Sequence, residues 1–164
     1  MSEEVIEEIV QEVNPMNIID RQQFLKVCLP SHSEEFGAMA LALAKAQSQM
    51  NNGSKDKQGY GYKYMTLGNL MDIVRPAFSE NGIAVIQSHL LIKDGDKSSV
   101  VTFTELFHES GQWHKSAIEV PIKIMTQLSP AQCEGIAATY GRRYGLQAVS
   151  LVCSEEDQDA APRI

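Results

Sequence analysis

The stretch NGIAVIQSHLLIKDGDKSSVVTFTELFHESGQWHKSAIEV, residues 81–120, decides the fold. It holds three runs, 83–92, 99–108 and 112–120, rich in the β-branched and aromatic residues that suit a pleated, half-buried surface. The connections, Asp94-Gly95-Asp96 and Glu109-Ser110-Gly111, are too short for a crossover helix and fit antiparallel hairpins. A three-stranded antiparallel meander is therefore expected. Asn81-Gly82 before it is a left-handed helix stop.

On the far side, Ser129-Pro130-Ala131-Gln132 combines an N-cap serine, a proline at the first helical position and a glutamine able to close a capping box. A long helix starts there and runs through CEGIAATYGRRYG. Its expected buried stripe is Cys133, Ile136, Ala137, Tyr140 and Tyr144, with Gly135, Ala138, Thr139 and Arg142 on another side. The apolar residues from Leu146 to Val152 fit either a final strand or a short helix.

On the near side, Thr66 caps a helix whose Leu67, Leu70, Met71, Val74 and Phe78 share a face, with Pro76 expected to kink it near Asp72. Ser33 is the expected cap of another helix, with Phe36, Met39, Ala40, Leu43 and Met50 as its stripe. Between these helices, 51–59 (NNGSKDKQG) reads as a mobile loop carrying Lys55 and Lys57. Asp20 with Gln23 marks a short helix ending before Leu29-Pro30, and Val5, Ile6, Ile9, Val10 and Val13 form an amphipathic arm among glutamates. The expected class is α+β: N-terminal helices, then a β-β-β-α unit, with helices on one face of the sheet. The divisions are an acidic arm and short helix over 1–35, a core over 36–153 and an acidic tail over 154–164.

The formal charge of −7 hides a division. Residues 1–35 hold 8 acids and 2 bases and residues 154–164 hold 4 acids and 1 base, which leaves 9 acids and 11 bases in the core. Global charge therefore does not decide for or against a polyanion partner, because binding depends on local patches. The start, MSEEVIEEIV, is acidic where a signal peptide is basic, and no apolar run approaches the roughly 18 residues of a membrane span, so no membrane and a cytoplasmic location are expected. Cys28, Cys133 and Cys153 are odd in number and lack a C-x-x-C spacing, which points to buried, reduced thiols.

Catalytic signatures are missing. There is no G-x-x-x-x-G-K-[ST] loop, no G-x-G-x-x-G opening a helix and no G-x-S-x-G elbow. His108, Glu109, His114 and Glu119 match no metal-ligand spacing. The acidic residues 155–157 sit in a tail read as solvated and too mobile for preorganised catalysis. No enzyme, cofactor or metal is expected.

Two segments carry another kind of chemistry. In 57–64 (KQGYGYKY), period-2 alternation sets Tyr60, Tyr62 and Tyr64 on one side and Lys63 on the other. Rings so placed either stack bases, at about 1–3 kcal/mol each without regard to sequence, or fill the core beside the Thr66 helix. In 139–145 (TYGRRYG), Arg142 and Arg143 either hold phosphates, aided by neighbouring small residues, or simply favour the helix C-terminus.

Together these segments resemble the essential recombination function (ERF) family of single-strand annealing proteins. The resemblance lies in ALALAKAQSQM, GYGYKYMTLGNLMDIVRPAFSENGIAVIQ, VVTFTELFHESGQW and EGIAATYGRRYGLQAVSLVCSEEDQD, in that order. It departs from the family at Met65 and Gly68, in a short tail, and at Gly141, where alanine is more usual. The resemblance implies a phage or prophage recombination protein in a bacterial host, one that coats single-stranded DNA and anneals complementary strands without ATP. It also implies a homo-oligomer, ring or filament, with a phage exonuclease or a host single-strand-binding protein as further partners. The expected DNA-binding residues are Lys57, Tyr60, Tyr62, Lys63, Tyr64, Trp113, Arg142 and Arg143, with the cations on phosphates and the rings on bases or groove wall. The rival expectation is an acidic adaptor that contacts recombination or replication proteins without touching DNA.

Overall fold

The structure is a computed structural model that describes residues 28–54, 57–58, 63–94 and 97–153. The arm, the Asp20 helix apart from its last residue, the tail and Tyr60 and Tyr62 lie outside them. In chain order the elements are β1 (Ser31–His32), α1 (Gly37–Ser48), β2 (Lys57–Gln58), β3 (Lys63–Tyr64), α2 (Leu67–Glu80), β4 (Ile83–Asp94), β5 (Lys97–His108), β6 (Trp113–Pro121) and α3 (Pro130–Ser150).

The three expected strands form an antiparallel meander, and a fourth strand extends it to the order β1-β6-β5-β4. The addition explains a missed cap. Ser33 does not start α1; its amide donates to the Trp113 carbonyl at 3.0 Å and its Oγ accepts the Trp113 amide at 3.1 Å. The serine thus prolongs the pairing of β1 with β6, in which Ser31 faces Lys115 and His32 faces His114. Helix α1 begins four residues later behind Phe36, without a side-chain cap, and buries Met39, Ala42 and Ala46 while Ala40 faces out.

The other helix signals act as local chemistry dictates. Thr66 Oγ1 accepts the Asn69 amide at 3.2 Å, and α2 buries Leu70, Val74, Ala77 and Phe78. It continues past Pro76 to Glu80 and stops at Gly82, whose φ of 68° suits a residue without Cβ. At α3 the capping box is complete: Ser129 Oγ accepts the Gln132 amide at 3.3 Å and Gln132 Oε1 accepts the Ser129 amide at 2.8 Å. The open alternative at 146–152 resolves as helix through Ser150, ended by Leu151 in the left-handed region (φ 60°).

Side chains of β5 alternate between two covered faces. Val100, Thr102, Thr104 and Leu106 are buried on the helix side, where α3 crosses β5 and β6 and α2 packs on α3 and β4. The main core there joins Met39, Leu70, Val74, Phe78, Leu106 and Leu146. On the opposite face Val101 and Phe103 are buried with Cys28, Ile92 and Ala117 beside them, and the Lys115 ammonium stands 4.6 Å from the Phe103 ring centroid.

The stripe of α3 needs correction. Its buried positions run Cys133, Ala137, Gly141, Gly145 and Val149, joined by Arg143, Leu146 and Ser150, while Ile136 and Tyr144 are exposed and Tyr140 is half-buried. A Cβ on Gly141 or Gly145 would collide with the hydroxyl of Thr102 or Thr104 respectively, so the two glycines set how closely the helix lies on the sheet. Gln87 fixes the contact by donating to Thr104 Oγ1 and to the Arg142 carbonyl, each at 3.0 Å.

Two further expectations change. Residues 51–59 are not wholly loop: Lys57–Gln58 pairs with Lys63–Tyr64, and the Gly53 amide donates to the Cys153 carbonyl at 3.0 Å. All three cysteines are free, but only Cys133 is buried; Cys28 is half-buried and Cys153 exposed.

Candidate nucleic-acid interface

The first turns of α2 and α3 open onto one groove of about 720 Å³. Thr66, Leu67 and Gly68 line it from α2; Gln132, Gly135, Ile136, Thr139, Tyr140 and Arg143 line it from α3, with Leu128 at its end. Neither helix carries an acidic residue in its first turn. Helix N-termini carry partial positive charge and attract phosphate, although here Thr66 and Ser129 already accept the Asn69 and Gln132 amides.

Arg143 sits at the back of this groove. Although only 8% exposed, its guanidinium carbon lies 4.6 Å from the Tyr140 ring centroid and 5.5 Å from that of Tyr144. Its Nη1 donates to the Met65 carbonyl at 3.4 Å, which ties α3 to the junction between β3 and α2. A guanidinium has five N–H donors and keeps its charge at all physiological pH values. Arg143 thus braces the groove and adds a fixed positive charge to it.

The structure sorts the expected site residues into separate places. Lys63 and Tyr64 form β3 and lead directly into Met65 and Thr66 at the groove wall. Lys57 pairs with Tyr64 across the β2–β3 hairpin, whose connection contains Tyr60 and Tyr62, outside the described residues. Arg142 and Arg143 do not form a paired grip: successive helical positions diverge by about 100°. The arginine that shares the groove with Gly135 and Thr139 is Arg143, not Arg142 as the spacing had indicated. Trp113 lies elsewhere, opposite Phe107 on the sheet face turned away from the helices and hydrogen-bonded to Ser33.

The groove residues that sequence reasoning missed are Thr66, Leu67, Gly68, Leu128, Gln132, Ile136 and Tyr140. The Thr66 cap was itself a usable signal, because a capped helix start is a ready anion site. Helical spacing alone places Ile136 and Tyr140 in the core, since it does not say which of two adjacent stripes meets the sheet.

The histidines serve other contacts. His108 Nδ1 lies 2.8 Å from Ser110 Oγ, and His114 lies 6.3 Å from Phe36, ring to ring. Burial and the neighbouring His32 push the His114 pKa below the usual imidazole value. Among the described residues no three His, Cys, Asp or Glu side chains gather as metal ligands, and no helix is long and apolar enough to cross a membrane.

Residues 39–164 match the ERF superfamily, and the chain belongs to that family. No curated protein and no solved structure matches it.

Proposed function

We propose that the chain binds single-stranded DNA along the groove between α2 and α3 and anneals complementary strands without ATP, in homologous recombination of the phage type. The observation that carries this reading is a single groove bordered by the first turn of α2, the Arg143 guanidinium and the face of α3 that leads back to Gln132, with no acidic residue in the first turn of either helix. Family membership supports it.

In this reading phosphates lie against the amide ends of α2 and α3, and Lys57, Lys63 and Arg142 are further candidate phosphate contacts. The apolar wall formed by Leu67, Leu128, Ile136 and Tyr140 supports sugar or base faces, and Tyr60, Tyr62 and Tyr64 are further candidate base contacts. Contacts to the backbone position a strand without reading it. The Watson–Crick edges stay open to a second strand, which is what annealing requires. The chain supplies position rather than bond chemistry, so it works without a cofactor and is not an enzyme. Copies assembled along one strand raise the effective concentration of each next contact.

Two complementary oligonucleotides, one labelled, provide the test. Anisotropy should rise with either strand alone, and mixing coated strands should speed duplex formation without nucleotide. Failure to bind an unstructured oligonucleotide in dilute buffer removes the reading and favours the protein-adaptor alternative.

A further inference from the structure

We infer that the free edge of β4 pairs with β4 of a second copy, antiparallel and centred on Ser88. From the reading above this takes only the idea that copies assemble, and it holds whether or not DNA binds.

The two edges of the sheet differ. One is guarded: β1 covers the start of β6, Lys115 and Glu119 place charge along it, and Pro121 ends it. The other edge is β4, twelve residues long, and among the described residues no strand pairs with its outer side. Residues 81–92 contain no Asp, Glu, Lys or Arg. Charges, prolines and bulges are the usual protection of an exposed edge, and a long apolar edge without them is a template for another strand.

Register identifies the partner. Ile86 and Leu90, each 52% exposed, stand on the sheet face away from the helices, opposite Glu105 and Val101 of β5. Leu91, 43% exposed, stands on the helix side opposite Val100. A two-fold axis normal to the sheet at Ser88 sets Ile86 against Leu90 of the second copy, and Leu90 against its Ile86. The same axis sets Val85 against Leu91 of the second copy. Val85 lines a mainly apolar cavity of about 220 Å³ shared with Met71, Val74, Phe78 and Leu146 and edged by Arg75 and Ser79, so the incoming Leu91 meets a recess. Centring on Gln87 or His89 instead leaves Ile86 opposite Ser88 or Ile92 and breaks these matches. In this register Lys93 and Asp94 fall opposite Ile83 and Gly82, so no like charges meet.

Cross-linking reads the register directly. In a Cys153→Ser background, Ser88→Cys places two thiols as a directly opposed pair, about 4.5–5.5 Å apart between Cα atoms and within reach of a disulfide. Ala84→Cys serves as control, because its two copies would lie eight residues apart, roughly 27 Å at ~3.4 Å per residue. With no DNA present, mild oxidation should convert the Ser88→Cys protein to a species of twice the 18.2 kDa chain mass and leave Ala84→Cys unlinked. Ile86→Lys with Leu90→Lys should lower the mass seen by light scattering while the circular dichroism spectrum is kept. In the unsubstituted full chain, hydrogen exchange should find consecutive amides of 83–92 slow, where an unpaired edge protects only alternate ones. A monomer at all concentrations, equal cross-linking at 84 and 88, or alternating protection along β4 overturns the inference. A paired protein that ignores oligonucleotides would sink the DNA reading alone, and a monomer that binds them would sink only this one.

Discussion

Gly141 of α3 lies directly against the Thr102 hydroxyl of β5, so close that a Cβ on the glycine would collide with the threonine Oγ1. That hydroxyl is fully buried and meets no hydrogen-bond partner among the described residues. The contact therefore combines tight approach with an unsatisfied polar group, and the two can be separated by substitution.

Gly141→Ala should destabilise the fold by about 1–3 kcal/mol through overpacking, although alanine is the better helix former. Thr102→Val should raise stability by about 1 kcal/mol, because it keeps the shape and removes an unpaired hydroxyl. Thr102→Ala should rescue much of the Gly141→Ala loss. Denaturant melts of wild type, Gly141→Ala, Thr102→Ala and the double variant give the coupling, and strict additivity would show that the two residues do not press on each other.

Arg142 and Arg143 should separate in their effects. Arg143→Ala should lower stability by about 1–2 kcal/mol, since stacking on two rings and a carbonyl bond are lost together, and should weaken DNA binding too. Arg143→Lys keeps charge but not the planar stack, and should recover binding more than stability. Arg142→Ala should leave the melting temperature nearly unchanged. Melting temperature and oligonucleotide anisotropy, measured on each variant, decide; equal stability losses for the two alanine variants would contradict the assignment of Arg143 as the brace.

His114 predicts a pH dependence. Its folded pKa is lowered, by burial first and by His32 second, so the fold favours the neutral ring. The resulting stability is present above the unfolded value of about 6.5 and is lost as pH falls below it toward the folded pKa. Wild type should therefore lose more stability than His114→Gln between pH 7.5 and 5.5. Identical slopes in thermal melts would remove His114 as the cause.

Salt should weaken DNA binding gently. With roughly 3–4 phosphate contacts per chain, log K should fall with log salt at a slope of about −2 to −3, from ~0.7 per phosphate on single strands. A slope near zero in an anisotropy titration would place binding on stacking rather than on phosphate.

Ser129→Ala should cost about 1 kcal/mol by opening the capping box at the groove end of α3. Urea unfolding measures this, and DNA affinity should fall with it if that helix start holds a phosphate.

The chain's own order of residues determined whatever depends on neighbours along it. Three strands, two short turns, the Thr66 and Ser129 caps and the Gly82 stop were legible because strand alternation and capping act within a few residues. The resemblance to the ERF family was legible for the same reason, as a succession of local motifs. Contacts between distant segments were not. Ser33 carries a good cap signature, yet the free edge of β6, eighty residues away, takes its hydrogen bonds. The helix from Ser129 offers two plausible stripes, and only packing selects Cys133, Ala137, Gly141 and Gly145, because small residues alone let a helix lie so near Thr102 and Thr104. That rotation carries Tyr140 and Arg143, rather than Arg142, to the groove. Periodicity gives the spacing of a stripe, whereas the shape of the opposing surface decides which stripe is buried.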